Sequence, residues 1–311
     1  MMRLIFAGTP RLAVPVVQRL SEHHDIVAVL TRPPSPQGRS SRLVPSPVQE
    51  WADARGVTVI APATLRDPAV VRVMRDLAPD CCPVVAYGGL VTRELLAVPR
   101  WGWINLHFSL LPAYRGAAPV QRALLDGCEQ TGLTTFRLVP ALDAGPVFLQ
   151  RELSIGPAET AGDLLEQLAT LGAEAMVATL DLVERGVEPS EQPAGGVSLA
   201  PKLTVDEARL NFARSARDAV NRVRAMSPEP GAWALLGGQR FKVLRAMMAD
   251  GPGAVGPVEA IPGRLRATKA HLFCRAGDGW VDLVEVQAVG RKAMPGADWA
   301  RGAWHEGDHL E

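Results

Sequence analysis

The chain has 311 residues, 47% of them hydrophobic, and its 33 Lys+Arg balance 33 Asp+Glu. That length favours two domains, and that composition excludes both a disordered chain and a small stapled fold. Net neutrality means that any nucleic-acid role must come from local basic surface.

Cys81, Cys82, Cys128 and Cys274 form no Cys-x-x-Cys pair and have no His at ligand spacing. They argue against a zinc site or a disulfide framework and fit reduced thiols in a cytoplasmic protein. The first eight residues read as a short buried strand cut by Pro10, far below the length of a signal h-region. No apolar run approaches a membrane span, so no membrane role is expected.

In chain order, residues 4–7, 26–30, 57–60 and 83–86 are short apolar runs expected as strands. Between them, 14–20, 48–55 and 68–77 carry apolar residues at three- and four-residue intervals, as amphipathic helices do. This alternation predicts an α/β fold with a doubly wound, mainly parallel sheet. Residues 31–47 interrupt it with five prolines, three arginines and four serines. The stretch is too long and polar for an ordinary βα connection, and reads either as a solvated excursion or as a loop whose Arg32, Arg39 and Arg42 meet phosphate.

Trp103-Ile104-Asn105-Leu106-His107 is an apolar strand whose period of two puts Asn105 and His107 on one face. A Pro-punctuated loop follows, and ligands bind outside the carboxyl ends of strands in open α/β sheets. Residues 119–125 then read as a helix, and 133–139 and 147–153 as strands. A long helix capped by Thr160 follows, with an apolar stripe through Leu164, Leu168, Met176, Leu180 and Val183 that stops at Arg185-Gly186.

Residues 188–203 are Pro-, Gly- and Ser-rich without periodicity, as a linker is. Beyond it, 213–225 reads as a helix, and 233–236, 240–244, 263–266, 271–275 and 280–287 as strands, with a hairpin turn at Ala276-Gly277-Asp278-Gly279. Several short strands at this spacing predict a small open barrel. The expected organisation is therefore a domain over 1–188, a linker over 189–207 and a barrel domain over 208–311. Residues 202–301 hold 16 Lys+Arg against 10 Asp+Glu, a mild basic surplus compatible with a nucleic-acid module.

Asn-x-His at a strand end, with no Ser or Cys nucleophile beside it, does not indicate a hydrolase triad. It offers an amide donor next to an imidazole, which together can hold an oxyanion and move a proton, the needs of acyl transfer to an amine. Leu142-Asp143-Ala144-Gly145 supplies a carboxylate, in a turn before the next strand, that can orient an imidazole and favour its protonated form. Each residue also has an ordinary structural reading: a bonded core histidine, a turn aspartate capping its own backbone, an asparagine ending a strand. Gly8-Thr9-Pro10 follows the first strand without G-x-G-x-x-G, so no dinucleotide site, and hence no NAD, is expected.

Six motifs occur in order: Phe6-Ala7-Gly8-Thr9-Pro10; Pro45-Ser46-Pro47-Val48; Val85-Ala86-Tyr87-Gly88; the run 105–119 with Ser109-Leu110-Leu111-Pro112 and Arg115-Gly116-Ala117-Ala118-Pro119; Leu142-Asp143-Ala144-Gly145; and Ala200-Pro201-Lys202-Leu203. On these the chain resembles the methionyl-tRNA formyltransferases over nearly its whole length. Asn-x-His with a distant Asp is shared with the wider 10-formyltetrahydrofolate-dependent formyltransferases. Gly290-Arg291-Lys292-Ala293-Met294 is similar to the end of the family's barrel domain.

The resemblance implies a Rossmann-like formyltransferase domain, a linker and a C-terminal OB-like β-barrel. The implied activity is transfer of a formyl group from 10-formyltetrahydrofolate to the α-amine of methionine on initiator tRNA, with no metal, by a cytoplasmic monomer. It makes Asn105, His107 and Asp143 the catalytic trio. Ser109, Leu110, Leu111 and Pro112 would frame the folate, and Val85, Ala86, Tyr87 and Gly88 would line the pterin pocket. Arg39, Arg42 and Lys202 would contact tRNA.

The chain departs from the family pattern in several places: its apolar strand is altered to Cys81-Cys82-Pro83, read most simply as buried small residues, and its 35–42 loop carries less charge than is usual. Ala144 stands where a threonine is usual, which removes a hydroxyl beside Asp143. Arg42 stands where a lysine is common. Phe108 replaces a smaller residue and would narrow the pocket. Two other readings are a formyltransferase for a small amine, such as glycinamide ribonucleotide or an amino sugar, and a non-catalytic tRNA-binding protein. The barrel disfavours the first, and the intact trio the second.

Overall fold

A computed structural model describes residues 1–36, 42–252 and 261–311. They divide into two compact units: Met1–Gly116 with Thr131–Leu153 and Leu165–Leu199, and Ala117–Gln130 with Ser154–Leu164 and Ala200–Glu311.

The first unit begins with β1 (Arg3–Gly8), α1 (Val14–Ser21) and β2 (Asp25–Leu30), then the two-residue strands β3 (Ser35–Pro36) and β4 (Leu43–Val44). It continues through α2 (Pro47–Asp53), β5 (Thr58–Ile60), α3 (Pro68–Leu77), β6 (Cys82–Val85), the single-turn α4 (Arg93–Leu96), β7 (Trp103–His107) and β8 (Arg115–Gly116). After α5 (Pro119–Leu125), which belongs to the second unit, come β9 (Gln130–Arg137), β10 (Val147–Ser154), α6 (Ala161–Glu184) and β11 (Leu199–Ala200).

Seven strands form one sheet in the order β10-β9-β7-β6-β1-β2-β5. β5, β2, β1, β6 and β7 run parallel, and β9 is antiparallel to β7. The chain winds outward from β1 through β2 and β5, then returns to β6 on the other side of β1. That reversal opens a crevice at the carboxyl ends of β1 and β6, beside β7.

The sheet face that carries Trp103 buries Ile5, Ala7, Leu30, Cys82 and Val84 against Val70, Val71 and Met74 of α3 and Leu95 of α4. α3 forms where expected because Asp67 accepts the Ala69 N–H at 2.8 Å and Pro68 fills the first position. On the opposite face α6 approaches closely: a Cβ at Gly172 would stand 2.4 Å from Leu106 Cδ2. Leu106 pairs with Thr135, whose hydroxyl lies 2.7 Å from that of Thr179 on α6. Asn105 and His107, of opposite parity to Leu106, face away from α6.

The segment 31–47, expected as a loop, contains the paired strands β3 and β4, with Ser35 opposite Val44. Its base is closed by a 2.6 Å bond between the Thr31 and Ser46 hydroxyls, and Ser46 also caps α2 through the Gln49 N–H at 3.1 Å.

The second unit holds α5 and α7 (Ala216–Met226), then β12 (Ala232–Leu236), β13 (Gln239–Ala249), β14 (Leu265–Ala267), β15 (Leu272–Arg275), β16 (Trp280–Ala288), β17 (Met294–Pro295) and α8 (Gly296–Ala303). The antiparallel order β12-β13-β16-β15-β14 leaves two edges, β12 and β14. The last residues join them: Leu310 bridges Leu236 and His309 bridges Arg264. Leu235 and Glu311 exchange both backbone bonds at 2.9–3.0 Å, which gives this sheet the closure of a small barrel. Its core gathers Phe241, Val243, Val281, Val286 and Leu310 with Val220, Val223 and Met226 of α7.

The expected hairpin at Ala276 closes with Ala276 N–H on Gly279 O at 2.9 Å, and Asp278 adds a cap for α7 by accepting the Ala216 N–H at 2.7 Å. β13 extends beyond its predicted end because register shifts on both sides of Arg245 break the period of two. α4 and α8 go beyond the elements expected from sequence, one being a single turn and the other beginning at Gly296 and containing Gly302. Among the described residues no helix is long and apolar enough to cross a membrane.

Candidate active site

β7 brings His107, only 6% exposed, to the carboxyl edge of the sheet, with Asn105 half-buried on the same face. The imidazole meets the Phe136 ring edge-on at 6.4 Å. Its Nε2 lies 2.8 Å from the Tyr114 carbonyl, which can only accept, so Nε2 carries a proton. Nδ1 faces Asp143 Oδ2 at 3.9 Å. Burial pushes the His107 pKa down, and the nearby Asp143 charge and the Tyr114 carbonyl only partly offset it. The neutral imidazole therefore keeps its lone pair on Nδ1, the nitrogen turned toward the carboxylate.

Asp143 reaches this position through left-handed backbone, with φ of 45°. Its Oδ2 accepts the Gly116 N–H at 2.7 Å, a main-chain donor for the carboxylate in a chain that has Ala144 next to it. Gly145 follows because a Cβ there would lie 1.8 Å from the Arg137 carbonyl oxygen. Tyr114, which holds the other ring nitrogen, is also left-handed, with φ of 59°.

The loop after β7 is braced from within. Thr134, opposite His107 on β9, donates to Ser109 O at 2.7 Å while accepting from Leu111 N–H at 3.1 Å and Gln150 Nε2 at 3.0 Å. Gln150 Nε2 also donates to Leu111 O at 2.8 Å. The Ser109 hydroxyl donates to Ala113 O at 2.6 Å, so Ser109 shapes the loop and has its proton engaged there. Leu111 and Pro112 are buried, Phe108 is 7% exposed, and Leu110 packs where Gly132 leaves room for it.

At the end of β6, Val85 is buried in the sheet while Ala86 (φ 47°) and Gly88 (φ 77°) turn the chain and stand exposed. The Tyr87 side chain enters the core with Met74 and Trp103, and its carbonyl accepts from the Thr9 hydroxyl at 2.9 Å. What this turn offers a ligand is backbone, chiefly at Ala86 and Gly88. Cys81 and Cys82 are free, fully buried thiols whose pKa values burial pushes up, as inert core residues.

The structure brings Asn105, His107 and Asp143 to the edge of one sheet. Arg39 lies outside the described residues. Arg42 is exposed beside β4, and Lys202 is exposed in the second unit, where its carbonyl accepts from Arg122 at 3.4 Å. Sequence reasoning passed over Tyr114, Thr134, Gln150, Gln192 and Ser198. The Tyr114 carbonyl reaches His107 across 7 residues of an irregular loop, and the other bonds join residues 16 or more positions apart, beyond any local pattern.

The formyl transferase family model matches residues 2–180, and the formyl transferase C-terminal domain model matches 202–303. A methionyl-tRNA formyltransferase of Thermobifida fusca is 49% identical over 97% of this chain and 96% of its own. One of Salinispora tropica is 50% identical over 97% of each. The chain belongs to the methionyl-tRNA formyltransferase family. It is accordingly a formyl transferase enzyme. Among solved structures, methionyl-tRNA formyltransferase from Clostridium thermocellum shares the fold with a TM-score of 0.60, at 16% identity over 85% of this chain and 100% of that one. A HypX of Aquifex aeolicus in complex with tetrahydrofolic acid matches with 0.67, at 16% identity over 100% of this chain and 50% of its own.

Proposed function

We propose that this site transfers the formyl group of 10-formyltetrahydrofolate to the α-amine of methionyl initiator tRNA. The observation that carries the reading is His107, at the carboxyl edge of β7, with a proton fixed on Nε2 by Tyr114 and Nδ1 turned toward Asp143. The methionyl-tRNA formyltransferase relatives support the choice of substrate.

The neutral amine attacks the formyl carbon, forming a C–N bond and an oxyanion. The Asn105 amide donates to that oxyanion. His107 Nδ1 accepts the proton that the attacking nitrogen must lose, and Asp143 stabilises the resulting imidazolium. The bond from carbon to folate N10 then breaks, the carbonyl reforms, and N10 leaves with the proton that His107 gives back, which restores the neutral ring. The order Nε2–H first, Nδ1 second makes His107 a proton acceptor before it can help hold the oxyanion.

The turn at Val85, Ala86, Tyr87 and Gly88 presents backbone donors and acceptors to the pterin, and Ser109, Leu110, Leu111 and Pro112 frame it. Arg39, Arg42 and Lys202 supply phosphate contacts for the tRNA. The enzyme works as a cytoplasmic monomer.

The test gives purified protein 10-formyltetrahydrofolate with methionyl initiator tRNA, free methionine or glycinamide ribonucleotide in parallel. Formylation of the charged tRNA alone is expected, and its absence would overturn the reading. Arg39→Ala should weaken tRNA use while folate binding is retained.

A further inference from the structure

Residues 191–197 look like a passive tether: all but Gln192 are exposed. Gln192 and, at the end of this stretch, Ser198 are half-buried, and both are fastened to the two backbone stretches that hold His107. The Gln192 amide Nε2 donates to the carbonyls of Asp143 and Gly145, each at 2.8 Å, and its Oε1 accepts from Arg115 Nη2 at 2.5 Å. Both amide protons are thus engaged on the Asp143 turn. Ser198 Oγ accepts the Tyr114 N–H at 2.8 Å, and Ser198 O accepts the Arg115 N–H at 2.9 Å.

Tyr114 and Asp143 are two of the four non-glycine residues with positive φ among the described residues. Such backbone is disfavoured for residues with a Cβ and persists only where neighbouring structure over-determines it. Here one strap supplies neighbours for both residues, one on each ring nitrogen of His107.

We infer that 191–198 is a positioning strap, in which Gln192 and Ser198 hold Asp143 and Tyr114 in the left-handed conformations that set the tautomer and orientation of His107. The inference rests on the proposed role of His107 for its kinetic consequence, but its structural part does not. Gln192 and Ser198 are positioning residues, since they act through Tyr114 and Asp143.

The decisive variants are Gln192→Glu, which keeps the length and the Arg115 partner but loses both amide donors, and Ser198→Ala. Ser198→Thr restores the hydroxyl, and exposed Val197→Ala serves as control. Nitrogen chemical shifts of the His107 ring report its tautomer and pKa without any substrate. Gln192→Glu and Ser198→Ala should change those shifts and lower kcat on the order of 10- to 100-fold, with KM for the folate within about twofold. Ser198→Thr and Val197→Ala should match the parent within about twofold.

Unchanged ring shifts in both Gln192→Glu and Ser198→Ala would overturn the strap. So would a loss of kcat that Ser198→Thr shares and that tracks melting temperature. If the parent enzyme formylates none of the amines while the ring shifts respond as expected, the substrate reading fails and the strap stands.

Discussion

The Tyr114 carbonyl lies 2.8 Å from His107 Nε2, and this contact decides which ring nitrogen is open for proton transfer. A carbonyl cannot donate, so the neutral ring is protonated at Nε2 and basic at Nδ1. Asp143, 3.9 Å from Nδ1, then meets a lone pair when the ring is neutral and a proton when it is charged. Its charge favours the state in which His107 has accepted a proton.

That arrangement sets a pH dependence. Burial holds the His107 pKa below the ordinary imidazole value, so the basic form survives into more acidic solution than a free histidine would allow. The unfolded chain takes up a proton here before the folded one, so this residue makes folding less favourable as pH falls through the ordinary imidazole range. Asp143 opposes the downward shift, and Asp143→Asn should therefore lower the His107 pKa further while keeping an acceptor for Gly116. A titration of the His107 ring by NMR in parent and variant checks the sign. A rise in the variant would show that Asp143 does not act through its charge.

Gly145→Ala tests the turn that carries Asp143. The added Cβ would fall 1.8 Å from the Arg137 carbonyl, which is backbone and cannot swing aside. The turn must move, at a cost of about 1–3 kcal/mol, and Asp143 with it. Expected results are a lower unfolding midpoint and a fall in kcat; normal values for both would mean that the turn relaxes without displacing the carboxylate.

The contrast between β7 and its supports shows which parts of the site are legible in sequence. Trp103 to His107 alternates faces within five residues, so the strand and the shared face of Asn105 and His107 follow from local spacing. α3 is equally local, because Asp67 and Pro68 mark its start. The bond from Gln192 to Asp143 crosses 49 positions, and no local rule places an amide in a Pro- and Gly-rich stretch against a distant turn. The antiparallel direction of β9 is a similar case, since a strand's own sequence does not state its polarity. At Arg245 the difficulty is different: irregular register hides a strand that is continuous in hydrogen bonding.

Arg245 also anchors a pH-sensitive pair in the second unit. Its guanidinium grips both Asp163 oxygens at 2.8 and 2.9 Å, while Asp163 accepts from the Thr160 N–H and hydroxyl at 2.9 and 2.8 Å. The Arg245 bond, aided by Thr160, brings the Asp163 pKa down to about 2. A depressed carboxylate stabilises the fold above its ordinary pKa and loses that contribution as pH falls toward the folded value. The side chains are 34% and 44% exposed, so solvent screening keeps the effect near that of a surface pair. Arg245→Met should destabilise by about 1 kcal/mol at neutral pH. Urea midpoints of parent and variant should converge as pH falls below the ordinary carboxylate range, and a constant gap would rule out the ion pair as its source.

Leu310→Ala tests how the barrel closes. Leu310 is 2% exposed, lies in the barrel core with Phe241 and Val243, and bridges Leu236 at the edge of β12. Its N–H donates to Gly263 O at 2.8 Å, beside the start of β14, so one residue helps join both edges of the sheet. Truncating a buried leucine costs about 2–5 kcal/mol through lost transfer energy and the cavity left behind. Hydrogen exchange should quicken first at Leu235 and Leu265, whose N–H groups donate to Glu311 O and Asp308 O, with the first unit's sheet unaffected. Uniform quickening across both units would mean that they unfold as one cooperative block, and unchanged exchange at Leu235 and Leu265 would mean that the barrel edges hold without this residue.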